Sequence, residues 1–376
     1  MLIYLIVFFI AIYSASKAEH AKNNIKIIIW SCVSILLPSI LAGIRDSGVG
    51  YDTEVYANLH FATMQGYHFY NTQSFIKYLV HGEFGGEWVY AVLTYLSVRL
   101  GGSLNWFYFI LNLFVCLFTY LAIYDHRKKA SMAFMMFIFL FSFYNISYNI
   151  MRQCLALSLS LYSYKYYECK QWKILFSLIL VILFSHGSGI FYVLVLICIW
   201  IQDYYKLSSI KNMMIFLLIS LSFAYFDLIL QKAAGFGLVP EKYADLYSTD
   251  DSSGGFMKVH VLIAVFEFML LFISSIISRK SYPIKLVVNN QLLYTLFLLT
   301  MTISLWAFRI SYYFYYLNIL LIPLAVRNLS RISQKNAIVV KYITILLILI
   351  EWLYCIVIAN ENSTVPYKSV ILNNLL

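Results

Sequence analysis

The sequence predicts an all-α polytopic membrane protein with about twelve transmembrane helices. Three observations predict it. The 376 residues are 62% hydrophobic with a mean hydropathy of +0.78, and only 12% are charged, about half the charge density of a soluble domain. Apolar runs recur along the whole chain, and a backbone facing lipid must satisfy its hydrogen bonds inside its own segment, so the runs are helices. Finally, 18 of the 27 basic residues fall in short connections that can share one side of a membrane, the pattern of cytoplasmic loops.

The first run, 2–16, has no basic stretch before it and no small-residue cleavage pattern after it. It therefore reads as a span rather than a signal peptide. Further runs fall near 26–44, 104–124, 131–148, 149–167, 172–185, 189–203, 209–230, 259–278, 287–307, 310–327 and 338–358. The connections 17–26, 124–131, 165–173, 203–211, 279–285 and 327–341 carry the basic excess. Their expected place is the cytoplasm, which leaves both termini outside. One integral membrane domain, 1–376, then presents two outward loops, 45–103 and 231–258, which hold most of the acidic residues outside the membrane.

Two stretches do not fit a simple count. Residues 88–99 (WVYAVLTYLSVR) are too short for a span and read as a re-entrant or interfacial helix in the first loop. Residues 172–203 supply about 32 positions where two spans want about 40. Two short helices meeting at "SHGSG" fit best, because both flanks are basic and Gly187 and Gly189 can turn the chain.

Composition also excludes function classes. The net charge of +10 is spread over connectors rather than gathered on one soluble face, so nucleic acid is not an expected partner. The six cysteines lie singly, without CxxC spacing, and read as small core residues. No nucleotide-binding glycine loop is present and the cytoplasmic connectors are short, so a working site is expected on the outer face. Neither a cofactor nor a protein metal site is expected, although Asp46, Asp52 and Glu54 could share a divalent ion with a bound diphosphate.

Four ionisable residues sit near the outer ends of their runs: Arg45, Arg152, His186 and Arg309. Burying such groups is costly unless they are paired or hydrated, so each is a functional candidate. Arg152 begins a face of small residues (Ala156, Ser160, Ser163) suited to close packing, and reads either as a bundle-interior cation or as one snorkelling to the interface. Arg309 is followed by Tyr312, Tyr313 and Tyr316 on one helical face. That face is either an anion site beside a sugar-stacking wall or an aromatic belt. His186 is either a helix cap or a group that donates to phosphate and moves protons. In "GIRDSGVGYDTEVY", Gly48 and Gly50 can turn backbone N–H groups toward an anion beside Arg45. Asp52 or Thr53 is expected to cap the helix that follows, Asp52 otherwise serving as a general base.

Taken in order, "GIRDSGVGYDTEVY", "MRQCLALSLSLYSY", "FSHGSGIFYVL" and "FRISYYFYYLNILLIP" resemble the EpsG-like family, grouped with Wzy-type surface-polysaccharide polymerases, from about residue 27 to 330. The family's first-loop pattern maps onto Arg45, Gly50, Asp52, Thr53 and Tyr56, and its later Arg, His and Arg onto Arg152, His186 and Arg309. Its acidic residue opening the next helical segment maps onto Glu87, where Trp88 replaces the proline that often follows.

The resemblance implies a GT-C-like glycosyltransferase fold in a bacterial inner membrane, with the site facing the periplasm or exterior. The implied substrates are undecaprenyl-diphosphate-linked oligosaccharides, and flippase and chain-length regulator proteins are candidate partners. On this reading Asp52, Arg152, His186 and Arg309 are catalytic. Arg45, Gly50, Thr53, Tyr56, Glu87, Tyr312, Tyr313 and Tyr316 bind substrate. A lipid-linked oligosaccharide flippase, an O-antigen ligase and a membrane acyltransferase are the rival readings.

Overall fold

The computed structural model of the chain describes residues 1–66, 86–205, 256–277, 282–299 and 305–374, with helical positions at 76, 77, 79, 214, 215, 217, 218 and 232. Most of the run at 209–230 and nearly all of the 231–258 loop lie outside the described residues, as do Glu83, Glu241, Asp245, Asp250 and Asp251. Every regular element among the described residues is helical. Among the described residues, six helices are long and apolar enough to cross a membrane: Leu2–His20, Asn24–Gly43, Leu104–Asp125, Val259–Ile276, Arg309–Ser330 and Gln334–Ile358. Five shorter apolar helices accompany them. The chain folds into two compact units, Met1–Ile190 with Trp352–Leu376, and Phe191–Glu351.

The first unit begins with α1 (Leu2–His20) and α2 (Asn24–Gly43), which pack as a hairpin. After a π-helical turn at Thr53–Ala57 come α3 (Asn58–Gly66) and the short α4 (Trp88–Leu100). Next are α5 (Leu104–Asp125), α6 (Met132–Ser142), α7 (Met151–Glu168) and α8 (Trp172–Ser185). A single 3-10 turn, Gly187–Gly189, separates α8 from α9 (Ile190–Tyr205), which from Phe191 belongs to the second unit. The chain thus breaks at "SHGSG", and α4 is a separate short helix packed on α3, α5 and α8.

The run at 131–148 departs from expectation. It is helical only to Ser142, and residues 143–150 are irregular around a 3-10 turn at Ile146–Tyr148. Non-helical backbone at membrane depth is tolerated where protein covers it. Here Phe143, Tyr144, Asn145, Ser147 and Tyr148 are all buried, and Tyr144 donates to the Pro38 carbonyl at 2.6 Å.

The basic connections 17–26, 124–131 and 165–173 come together at one end of this unit. Glu19 Oε2 accepts the Met132 N–H at 2.8 Å. Lys165 lies 2.7 Å from Asp125, and Glu168 lies 2.9 Å from His126 and 2.7 Å from Lys129. Helix α2 leads away from this end for 20 residues, about 30 Å. The Ile44–Ala57 stretch therefore sits at the opposite end.

The second unit holds α10 (Phe256–Ile277), α11 (Tyr282–Leu299), α12 (Leu305–Ser330) and α13 (Gln334–Glu351). Helices α10 and α13 both pack on each other and on a neighbour, α11 and α12 respectively, and α11 packs on α12, which closes a four-helix ring. Beyond α13 the helix continues as a π-helical segment, Trp352–Ile358, into the first unit.

Glu168 yields a pH prediction. Burial alone would raise its pKa, but His126 and Lys129 outweigh burial and hold the carboxyl below its ordinary 4.5. A depressed folded-state pKa contributes stability that is complete above the unfolded value and lost as pH falls through the folded one. Glu168→Gln should therefore lower the thermal midpoint of the solubilised protein at neutral pH and leave a smaller further decline on acidification below 4.5. Scanning calorimetry across that range measures both.

Candidate functional site

The site end of the first unit is organised around Arg45. Its side chain is 1% exposed, and its guanidinium carbon lies 4.2 Å from the Tyr108 ring centroid and 4.1 Å from that of Tyr148. One terminal nitrogen donates to the Ala42 carbonyl at 2.8 Å, and the other meets the Met151 sulfur at 3.9 Å. Its Nε has no partner. A cavity of about 10 Å3, lined by Arg45, Tyr108, Asn112, Ser147 and Met151 among others, has room for about one water. The Tyr108 hydroxyl also donates to Asn58 Oδ1 at the start of α3. Arg45 is thus a buried pin between α2, α5 and α7 and is not presented as an anion contact.

The chain after Arg45 is strapped down by the C-terminal segment. Asp46 N–H donates to the Lys368 carbonyl at 3.0 Å, and Gly50 N–H to that of Ser363 at 2.9 Å. The Asp46 carboxylate accepts the Val370 N–H at 2.8 Å, and Tyr367 donates to the Leu41 carbonyl at 2.7 Å. The Asn149 amide donates to Asn362 at 2.8 Å and 3.0 Å while its oxygen receives the Asp52 N–H at 3.4 Å.

Neither Asp52 nor Thr53 caps the helix with its side chain. Asp52 makes no capping bond, and the Thr53 hydroxyl donates to the Val49 and Tyr148 carbonyls at 3.2 Å each. Thr53 is fully buried, Asp52 is half-buried and Tyr56 is 47% exposed. Among the described side chains of residues 51–57, those of Tyr51, Asp52 and Tyr56 reach the surface. The Glu54 side chain lies outside the described residues.

Glu87, Arg152 and His186 converge. Glu87 Oε2 is 2.6 Å from an Arg152 terminal nitrogen, and Oε1 is 3.6 Å from His186 Nε2. The carboxylate is 13% exposed, the imidazole 14% and the guanidinium 31%. The Ser188 N–H donates to His186 Nδ1 at 3.1 Å. That bond makes Nδ1 an acceptor and places the proton of the neutral ring on Nε2, toward Glu87. Trp88, which stands where the family pattern often has proline, stacks on Phe184 at 4.5 Å and 3°. This stack docks α4 on α8 and so delivers Glu87 to His186. Among the described residues no other side chain or carbonyl takes a hydrogen bond from the Arg152 guanidinium, so its remaining N–H groups can meet an anion.

Two residues of this end were not singled out from sequence. Tyr90 lies three positions after Glu87, on the same helical face, and the Arg152 guanidinium carbon is 5.6 Å from its ring centroid. Its hydroxyl is 3.4 Å from His60 Nδ1 on α3. Burial, with the Arg152 charge adding to it, pushes the His60 imidazole down to about 4. His60 is therefore neutral at pH 7.

Arg309, Tyr312, Tyr313 and Tyr316 belong to α12 in the second unit. Arg309 is half-buried, as is Tyr312, whereas Tyr313 and Tyr316 are 2% exposed. Those two rings are packed surfaces in this structure, not an open stacking wall. Convergence of Arg309 with Arg152 remains an expectation drawn from the sequence.

The model of the EpsG family matches residues 27–369, most of the chain. The chain belongs to the EpsG family. No curated protein and no solved structure matches it. In this EpsG-family chain the match includes both the Arg45–Tyr56 stretch and the C-terminal strap that holds it.

Gly50 offers a test of that clamp. Its φ is +100°, and a Cβ there would lie 2.7 Å from Thr53 Oγ1 and 3.1 Å from Asn149 Oδ1. Gly50→Ala should cost about 1–3 kcal/mol through backbone strain and contact. Gly48→Ala, which meets open space, should leave the thermal midpoint nearly unchanged. Side-by-side melts of the two variants decide it.

Proposed function

We propose that this EpsG-family chain is a Wzy-type polysaccharide polymerase acting at the outer face of a bacterial inner membrane. It would move a glycan from undecaprenyl diphosphate onto a lipid-linked repeat unit. The observation that carries the reading is Arg152. A half-exposed guanidinium is anchored by Glu87 at 2.6 Å with its other donors unspent, which suits the oxygens of a diphosphate. Family membership and a multi-pass helical chain support the same class of reaction. The basic connections gathered at the far end of the first unit support an outward-facing site.

In the reaction, the acceptor sugar hydroxyl forms a bond to the donor's anomeric carbon. The bond from that carbon to the diphosphate oxygen breaks, and the hydroxyl proton passes to a base. Arg152 stabilises charge on the departing diphosphate, the role the sequence also suggests for Arg309. Asp52 takes the acceptor proton or orients its hydroxyl. His186, held as the Nε2–H tautomer, donates toward phosphate when the substrate displaces or shares Glu87. Glu87 positions Arg152 and His186, Tyr56 meets the glycan, and Arg45 holds the loop in place.

Purified protein incubated with synthetic lipid-linked repeat units should produce a ladder of longer lipid-linked glycans. Movement of label across a vesicle without elongation would support a flippase instead. Arg152→Ala and Asp52→Asn should each reduce elongation by about 100-fold or more, with membrane insertion intact. Long-chain polymer at normal levels from either variant would overturn the assignment.

The pH dependence offers a separate check. His60 gains its proton only near 4, so its imidazole resonances should stay in the neutral position from pH 8 down to about 5. Selective histidine labelling and NMR read this, and an inflection near 6.5 would contradict it.

A further inference from the structure

Among its described residues, the second unit buries two carboxylates that pair with neither lysine nor arginine. Glu267 on α10 is 1% exposed, and Glu351 at the end of α13 is 7% exposed. Glu351 is fully engaged: Oε1 lies 2.7 Å from His260 Nδ1, and Oε2 accepts from the Tyr315 hydroxyl at 3.1 Å. Glu267 is not. Its Oε2 accepts from the Gln291 amide at 3.1 Å, and its Oε1 has no hydrogen-bond partner.

The donor at Glu267 is fixed in its orientation. Gln291 Oε1 accepts from Asn318 at 2.6 Å, and Asn318 Oδ1 accepts from Asn290 at 2.7 Å. Asn290 in turn donates to the Phe314 carbonyl at 2.8 Å. Rotating the Gln291 amide would break this line of dipoles across α11 and α12, so its nitrogen stays toward Glu267. Among the described residues, the groups that act on Glu267 are the neutral Gln291 amide from α11 and Glu351 from α13, close enough for the two charges to repel. His260 and Tyr315 reach it only through Glu351. An ionised carboxylate in such surroundings is strongly unfavourable unless a cation accompanies it.

We propose that Glu267 binds a small monovalent cation, a proton or Na+, inside the second unit. The unpartnered Oε1 is the atom that carries it, Gln291 positions the carboxyl, and the repulsion from Glu351 is relieved when the cation is bound. None of the residues assigned to glycan transfer takes part, so this site stands or falls independently of that reading.

Dicyclohexylcarbodiimide, an apolar reagent that modifies protonated carboxylic acids within membranes, tests the proposal on the full-length protein in lipid nanodiscs. Labelling is mapped by peptide mass spectrometry at acidic and alkaline pH, with sodium or choline as the only cation. Modification at Glu267 that fades at alkaline pH regardless of sodium supports a proton. Modification that sodium suppresses and choline does not supports Na+. A second measurement does not depend on reagent access. The wild-type thermal midpoint should rise with the cation identified, and Glu267→Gln should abolish that response. An unlabelled Glu267 under every condition, together with identical responses of wild type and Glu267→Gln, overturns the proposal.

Discussion

The Arg45 guanidinium, held between the Tyr108 and Tyr148 rings, is the interaction on which the site end of the first unit depends. A desolvated cation against an aromatic face is worth about 2 kcal/mol or more, and here two faces are used. The stronger consequence is geometric. Arg45 ends the α2 connection, Tyr108 belongs to α5, Tyr148 to the buried turn, and Met151 to the first turn of α7. One side chain therefore fixes where the chain departs after α2 and where Arg152 begins its helix. The neighbours of these residues carry the rest: Asn149 receives the Asp52 N–H, and the Tyr108 hydroxyl reaches Asn58.

The Glu87 cluster is built differently, from three segments distant in sequence that need each other. Glu87 precedes α4, Arg152 lies on α7, and His186 closes α8. A partly buried carboxylate between a guanidinium and an imidazole is satisfied without being inert, because Arg152 retains open donors and the Nε2–H of His186 faces Glu87. An arriving anion can compete for both. The cluster is thus organised before any anion arrives, which is what the proposed stabilisation of a departing charge requires.

Burial of polar groups follows one rule throughout. Where protein covers the backbone, as at residues 143–150, helix can be interrupted and side chains complete the hydrogen bonds. In the second unit the same rule produces a connected set of amides ending at Glu267, a buried carboxylate with one oxygen unserved. Its presence in the apolar run 259–278, and that of Glu351 in 338–358, was visible in the sequence. Only the fold shows that the two acids are neighbours.

The helical class was legible because period and composition act locally: lipid leaves no alternative to helix for long apolar runs. So were the break at "SHGSG", set by Gly187 and Gly189, and the shared end of the three basic connections 17–26, 124–131 and 165–173, set by Lys and Arg in short loops. Arg152, His186 and Glu87 could be listed as candidates because charge in apolar surroundings is conspicuous. What each charge does was not legible. Arg45 and Arg152 look alike in sequence, yet one is sealed between tyrosines and the other is half-exposed beside Glu87. Asp46 and Asp52 look alike as well, yet the first is spent on the Val370 N–H. Partners 65, 106 and 324 positions away decide these outcomes. The sequence alone determined which residues are costly to bury, and the tertiary structure decided which of them are satisfied, because satisfaction is a matter of distance in space.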